Sequence, residues 1–176
     1  MLAEVPFMLV FRFLHIVSAV LWVGSVFAFV VFVGPSAGQV GPSAGPLLTA
    51  IVKQRKYAKV VSGLGATTVL AGWVMWLHNM QVYGSLYRWV TTRFGLVITI
   101  GAALATTAWF LGTLGVGRNV ERVVTMGGEI AASGAPPTPE QQATMTRLQG
   151  LTKRLGRIVL ALLVLAATAM ATARYW

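Results

Sequence analysis

Four stretches of this chain, residues 7–33, 57–79, 92–117 and 157–173, are apolar over at least most of the length that crosses a bilayer. A hydrocarbon core needs roughly 20 residues at about 1.5 Å of rise each. Inside lipid no water satisfies the backbone, so a span of this kind must bond its own N–H and C=O groups as a helix. The expectation is an all-α integral membrane four-helix bundle, one transmembrane domain over residues 1–176. The first run lacks a basic start, and its apolar core is longer than the roughly 7–15 residues of a secretory signal, so it reads as a retained helix. Only 10% of residues are charged, against about 25% in a soluble domain, which agrees with burial in lipid.

The charge present is unbalanced, with 14 Lys and Arg against 4 Asp and Glu, a net +10. Short basic loops stay on the cytoplasmic side of a membrane. The first connection carries Lys53, Arg55, Lys56 and Lys59, and the third carries Arg118, Arg122, Arg147, Lys153, Arg154 and Arg157. Elsewhere there are only Arg12, Arg88, Arg93 and Arg174. Both termini are therefore expected outside, and the positive charge is explained by topology without nucleic acid as a partner. With no cysteine, thiolate metal sites, iron–sulfur clusters and disulfides are excluded.

The first connection holds Gly34-Pro35-Ser36-Ala37-Gly38 and again Gly41-Pro42-Ser43-Ala44-Gly45, small residues and prolines that predict a non-helical flexible loop. In the third connection, Thr138-Pro139-Glu140-Gln141 has the order of a helix start: a capping Thr, Pro in the first turn and Gln placed to bond back. A helix is expected to run from there into the fourth span. With Arg118 to Ile130 continuing the third span, this predicts a short cytoplasmic helical extension turning at 131–137. Thr92, Thr99, Thr106 and Thr113 recur every seven residues on one face of the third span, either for helix packing or as a wall beside a flat cofactor. Trp76, Trp89 and Trp176 are expected at the outer interface, Trp22 and Trp73 deeper.

Ionisable side chains inside spans are costly and usually serve a purpose. His15 lies in the first span with Arg12 three residues before it, Met8 seven before and Trp22 further in along the same broad face. His78 stands at the outer end of the second span between Met75 and Met80. Neutral imidazole binds iron axially, and Arg12, Arg93 or Arg88 could meet propionates, so one reading is b-type haem held by His15 and His78. Imidazole with thioether also suits copper, for which Met8, Met75, His78 and Met80 form the candidate set. The third reading is packing alone. No carboxylate lies in a span, which argues against proton-coupled transport and a carboxylate-bound metal pair, and no phosphate loop or hydrolase elbow is present.

The run Phe13-Leu14-His15-Ile16-Val17-Ser18-Ala19-Val20-Leu21-Trp22-Val23-Gly24, ending at Gly34-Pro35, resembles the first helix of CopD-type copper-resistance membrane proteins and is similar to that of HemJ-type protoporphyrinogen oxidases. The likeness continues through Arg55-Lys56-Tyr57, Gly72, Thr91-Thr92-Arg93-Phe94-Gly95 and the basic run from Arg147 to Arg157. The HemJ-type resemblance implies haem with His15 as a ligand. Where those proteins open the third helix with a functional lysine this chain has Arg93, which does not readily release its proton. The CopD-type resemblance implies copper handling at the outer side. Together they lead to the expectation of a prokaryotic plasma-membrane haem b protein exchanging electrons with a quinone or another redox membrane protein. The alternatives are a copper-binding protein and a structural subunit or homo-oligomer within a larger assembly.

Overall fold

The computed structural model describes residues 4–175, all helix or short connection, with no strand among them; Trp176 lies outside the described residues. Helix α1, Glu4–Ala28, passes through a π-helical turn at Phe29–Val33 into α2, Gly34–Val40. A 3-10 turn at Gly41–Ala44 leads to α3, Gly45–Thr49, and a second π turn at Ala50–Gln54. Then come α4, Tyr57–Val82, the short α5, Leu86–Thr91, and α6, Arg93–Phe110. A π segment at Leu111–Gly117 joins α6 to α7, Arg118–Ser133, and α8 runs unbroken over Pro139–Thr172. Four helical stretches, Pro6–Gln54, Tyr57–Val82, Arg93–Ser133 and Pro139–Tyr175, are long and apolar enough to cross a membrane, as a multi-pass membrane protein requires.

The first connection overturns the loop expected there. Pro35, Pro42 and Pro46 each stand in the opening turn of a new helical segment. In that position the missing N–H is one the helix would leave unpaired anyway, and the ring presets φ. The interruption is concentrated at Gly41, whose φ of +68° is open to glycine but strained for other residues. The repeat thus restarts a helix instead of dissolving it. At the third connection α7 stops at Gly134, with φ +65°, and Thr138 caps α8. Thr138 Oγ1 accepts from the Gln141 backbone N–H at 3.2 Å, and Gln141 Oε1 accepts from the Thr138 N–H at 2.9 Å, as the Thr-Pro-Glu-Gln order predicts.

Consecutive long helices are neighbours in an up-down-up-down ring, α1 on α4, α4 on α6, α6 on α8, with α8 closing back on α1. Each contributes to the centre, where Trp22, Val69, Ala108, Val159 and Leu163 are buried together. The outward face of α1, including Leu9, Phe13, Val20 and Leu21, is exposed apolar surface, as a lipid-facing helix presents.

The threonine stripe meets tryptophan donors from α4. Trp76 Nε1 donates to Thr99 Oγ1 at 2.8 Å and Trp73 Nε1 to Thr106 Oγ1 at 3.1 Å, while Ser62 and Thr113 share a 3.0 Å bond. Thr99 and Thr106 also donate to the carbonyls of Gly95 and Ala102, so each hydroxyl is used twice. Trp76 and Trp89 lie toward the end of the bundle that carries the termini, but their rings turn inward. Trp76 is 8% exposed because its N–H is held by α6, and Trp89 is 0% exposed because α5 folds it between Tyr83 and Phe94.

Candidate functional site

Along α1, His15, Ser18, Trp22 and Ser25 recur at spacings of three and four and face α4, which answers with Gly72, Thr68, Gly65 and Tyr57. Each level pairs a polar or bulky group on one helix with a small or complementary one on the other. Tyr57 Oη donates to the Ser25 carbonyl at 2.6 Å, and Thr68 Oγ1 donates to Ser18 Oγ at 2.8 Å, which in turn donates to the Leu14 carbonyl. A Cβ on Gly65 would stand 2.7 Å from Trp109 Cδ1 and 2.8 Å from Trp22 Cε2, so only glycine admits both indoles.

At the top level of this seam His15 Nδ1 lies 2.8 Å from the carbonyl oxygen of Thr68. A carbonyl only accepts, so Nδ1 carries a proton, which in the neutral form of the ring leaves the lone pair on Nε2. Among the described residues Nε2 makes no hydrogen bond. The ring lies flush against α4 because residue 72 is glycine: a Cβ there would come within 3.0 Å of His15 Cε1 and 3.1 Å of Nδ1. The other carbonyl lone pair of Thr68 remains in the helix ladder, so the imidazole is oriented without breaking α4.

His15 lines a cavity of about 220 Å³ between the helices in the half of the bundle nearer the termini. Arg12 enters it from one turn earlier on α1, Trp73, Met75, Trp76 and Asn79 from α4, Phe94 and Ala102 from α6, and Met170 from α8. Among the described residues no Asp or Glu lines it, and Arg12 is a cation at its wall. A smaller cavity of about 60 Å³ lies toward the other end, between Trp22, Tyr57, Ser62, Trp109 and Thr113.

The sequence candidates separate accordingly. Arg12, His15 and Met75 reach the larger cavity; Met8, His78, Met80 and Arg93 are not among its lining side chains. His78 stands six residues beyond Gly72 on α4, roughly 9 Å along the axis, and so is not brought to His15. Trp22 is 4% exposed, part of the central core and of the smaller cavity. Arg93 is exposed at the first position of α6. Of the copper candidates Met8, Met75, His78 and Met80, only Met75 lines this cavity, and among the described residues no group of three His, Cys, Asp or Glu is placed to hold a metal ion.

Thr68, Gly72, Asn79 and Met170 were not singled out as site residues from the sequence. The signal for the first two was present in the three-and-four spacing of Gly65, Thr68 and Gly72, which matches that of His15, Ser18 and Trp22. Met170 had none, because its place depends on how α8 closes the ring. No protein-family model, curated protein or solved structure matches the chain.

Proposed function

We propose that this protein binds b-type haem through His15 and serves electron transfer with a membrane-dissolved partner such as a quinone. The observation that carries the reading is the hydrogen bond from His15 Nδ1 to the Thr68 carbonyl, which leaves Nε2 as the free lone pair on a ring that lines a cavity. An N–H held by a backbone carbonyl is how proteins fix the tautomer of a ligating histidine and raise its basicity. The residues fit the group in chemistry: one oriented imidazole, Arg12 to neutralise acidic substituents, and the aromatic walls of Trp73, Trp76 and Phe94. The cavity lies below the roughly 300–1,000 Å³ of ordinary ligand pockets, so a macrocycle held here extends beyond the enclosed space.

When bound, haem supplies one-electron chemistry; the chain supplies its position and surroundings. His15 would hold the iron, Thr68 fixes the His15 ring, and Arg12 would neutralise the group's acidic substituents. The aromatic and aliphatic walls lower the local polarity around such a group, an environment that tunes redox potential. The reading places the hairpin between α7 and α8 in the cytoplasm of a prokaryotic cell and both termini outside. It draws support from Lys53, Arg55, Lys56, Lys59, Arg118, Arg122, Arg147, Lys153, Arg154 and Arg157, all exposed around the end opposite the termini.

An absorption spectrum of the purified protein, before and after haemin is added, tests the reading. A Soret band that titrates to one haem per chain is expected, lost or sharply weakened in His15→Ala and retained in His78→Ala. A wild-type protein that stays colourless with haemin present would overturn it.

A further inference from the structure

At the end of the bundle opposite the termini, the smaller cavity stands beside unpaired charge. Its walls include Phe29 from the first π turn, Tyr57, Ala58 and Val61 from α4, Val116 from the π segment after α6, and Val120 from α7. The three hydroxyls of its lining are spent inside the protein: Tyr57 Oη donates to the Ser25 carbonyl at 2.6 Å, and Ser62 and Thr113 share their 3.0 Å bond. The lining therefore meets an occupant almost wholly through carbon. At about 60 Å³ the cavity is well below the roughly 300–1,000 Å³ of an ordinary ligand pocket, so it has room for part of a flexible hydrocarbon chain and not for a ring system.

Charge gathers at its rim. A Cβ on Gly117 would lie 3.7 Å from Ala58 Cβ, so the start of α4 and the start of α7 touch there, one residue from Lys59 and one from Arg118. Lys56 is the N-cap residue of α4. All three cations are exposed, and among the described residues none makes a side-chain hydrogen bond or ion pair; Glu121, on the same turn of α7 as Arg118, is not paired with them either. Lys56 stands at φ +52°, the one non-glycine residue of positive φ among the described residues. Glycine adopts that conformation at lower cost, so the backbone gives no reason for lysine there. The exposed apolar side chains of Val60 and Leu114 stand one residue after Lys59 and four before Arg118, so hydrocarbon and charge meet at one level.

We propose that this cleft binds one anionic phospholipid, its phosphate met by Lys56, Lys59 and Arg118 and one acyl chain laid against the wall of Phe29, Ala58 and Val61. Basic pockets between spans on the cytoplasmic side of a membrane recognise such headgroups. Charge and hydrocarbon side by side select an amphiphile: a free phosphate ion leaves the apolar wall bare, and a lipid without net charge leaves three cations unmet. The site lies at the end of the bundle away from His15 and does not depend on what the larger cavity holds.

Native mass spectrometry of the full-length protein in detergent, with phosphatidylglycerol and phosphatidylcholine of the same acyl chains, tests this, and the melting temperature is the second readout. Wild type is expected to retain one phosphatidylglycerol in preference to phosphatidylcholine and to melt higher with it. Glycerol phosphate, the headgroup without its chains, should neither displace the lipid nor raise the melt. Lys59→Gln and Arg118→Gln should each weaken retention about fivefold, the contribution of one basic residue near an anionic headgroup. Lys56→Gly should do the same while leaving the lipid-free protein at least as stable, because glycine accepts the positive φ. Arg147→Gln is the control and should match wild type: Gly115 packs on Leu155, and Arg147 stands eight residues earlier on α8, about 12 Å further toward the hairpin turn. Equal retention of both lipids by wild type, displacement by glycerol phosphate, no loss in the three variants, or the same loss in Arg147→Gln as in Arg118→Gln overturns the site.

Discussion

Two glycines on α4 set how closely α1 approaches, and they constrain different things. Gly65 receives Trp22 and Trp109, whose ring atoms stand 2.8 and 2.7 Å from where a Cβ would be; Gly72 receives the imidazole of His15, 3.0 Å away. Large rigid rings cannot give way inside a packed core, and overpacking costs about 1–3 kcal/mol. Gly65→Ala is therefore expected to lower thermal stability in detergent more than Gly72→Ala, with little effect on the haem bound by the folded fraction. Gly72→Ala should show the reverse, displacing His15 from the Thr68 carbonyl and weakening haem uptake. Gly24, which has nothing within 4 Å of a Cβ position, supplies the control: Gly24→Ala should leave both unchanged. Paired melting curves and haemin titrations check all three. His15 and Arg12 were legible as candidates from the sequence because an ionisable residue in an apolar span stands out. The roles of Gly65 and Gly72 were not, because a glycine is informative only once its neighbour is known.

Between elements, the seam joining α4 to α6 is held by side-chain hydrogen bonds in place of ion pairs. The threonine stripe announced its face by heptad spacing, yet either packing or a cofactor wall would have produced it. The structure shows acceptors for indole N–H groups, with Trp73 on Thr106 and Trp76 on Thr99. Such bonds in membrane bundles contribute about 0.6 kcal/mol on average and up to about 1.7. Thr106→Val removes the acceptor and strands the Trp73 N–H, whereas Trp73→Phe leaves Thr106 still bonded to the Ala102 carbonyl. A double-mutant cycle on this pair should give a coupling of about 0.6–1.7 kcal/mol in reversible detergent unfolding. Zero coupling would make the stripe mere small-residue packing. The proline repeat teaches the same lesson from the other side. Its residues were legible, but whether Pro35, Pro42 and Pro46 end helices or begin them depends on which turn they occupy.

For the whole molecule, the prediction concerns sidedness. Because the chain has no cysteine, single substitutions report position without background. Ser85→Cys, in the connection before α5, should react with a membrane-impermeant maleimide in intact cells, and Ala135→Cys, at the turn between α7 and α8, only after the membrane is opened. The reverse pattern would invert the orientation inferred from the exposed basic residues. The sequence alone determined that this chain has four apolar spans, that they are helices, and that its charge gathers at one end. Each of these follows from local chemistry, since lipid forces backbone bonds to close within a segment and hydropathy is a sum over neighbours. Tertiary structure alone decided that His15 rests on Thr68 and Gly72, that His78 stands apart, that Trp76 and Trp89 turn inward, and that Met170 enters the cavity. Those placements depend on the rotation and closure of each helix against its neighbours. In lipid that is set by close packing and hydrogen bonding between particular side chains far apart in the chain, and hydrophobicity has no preference among the faces.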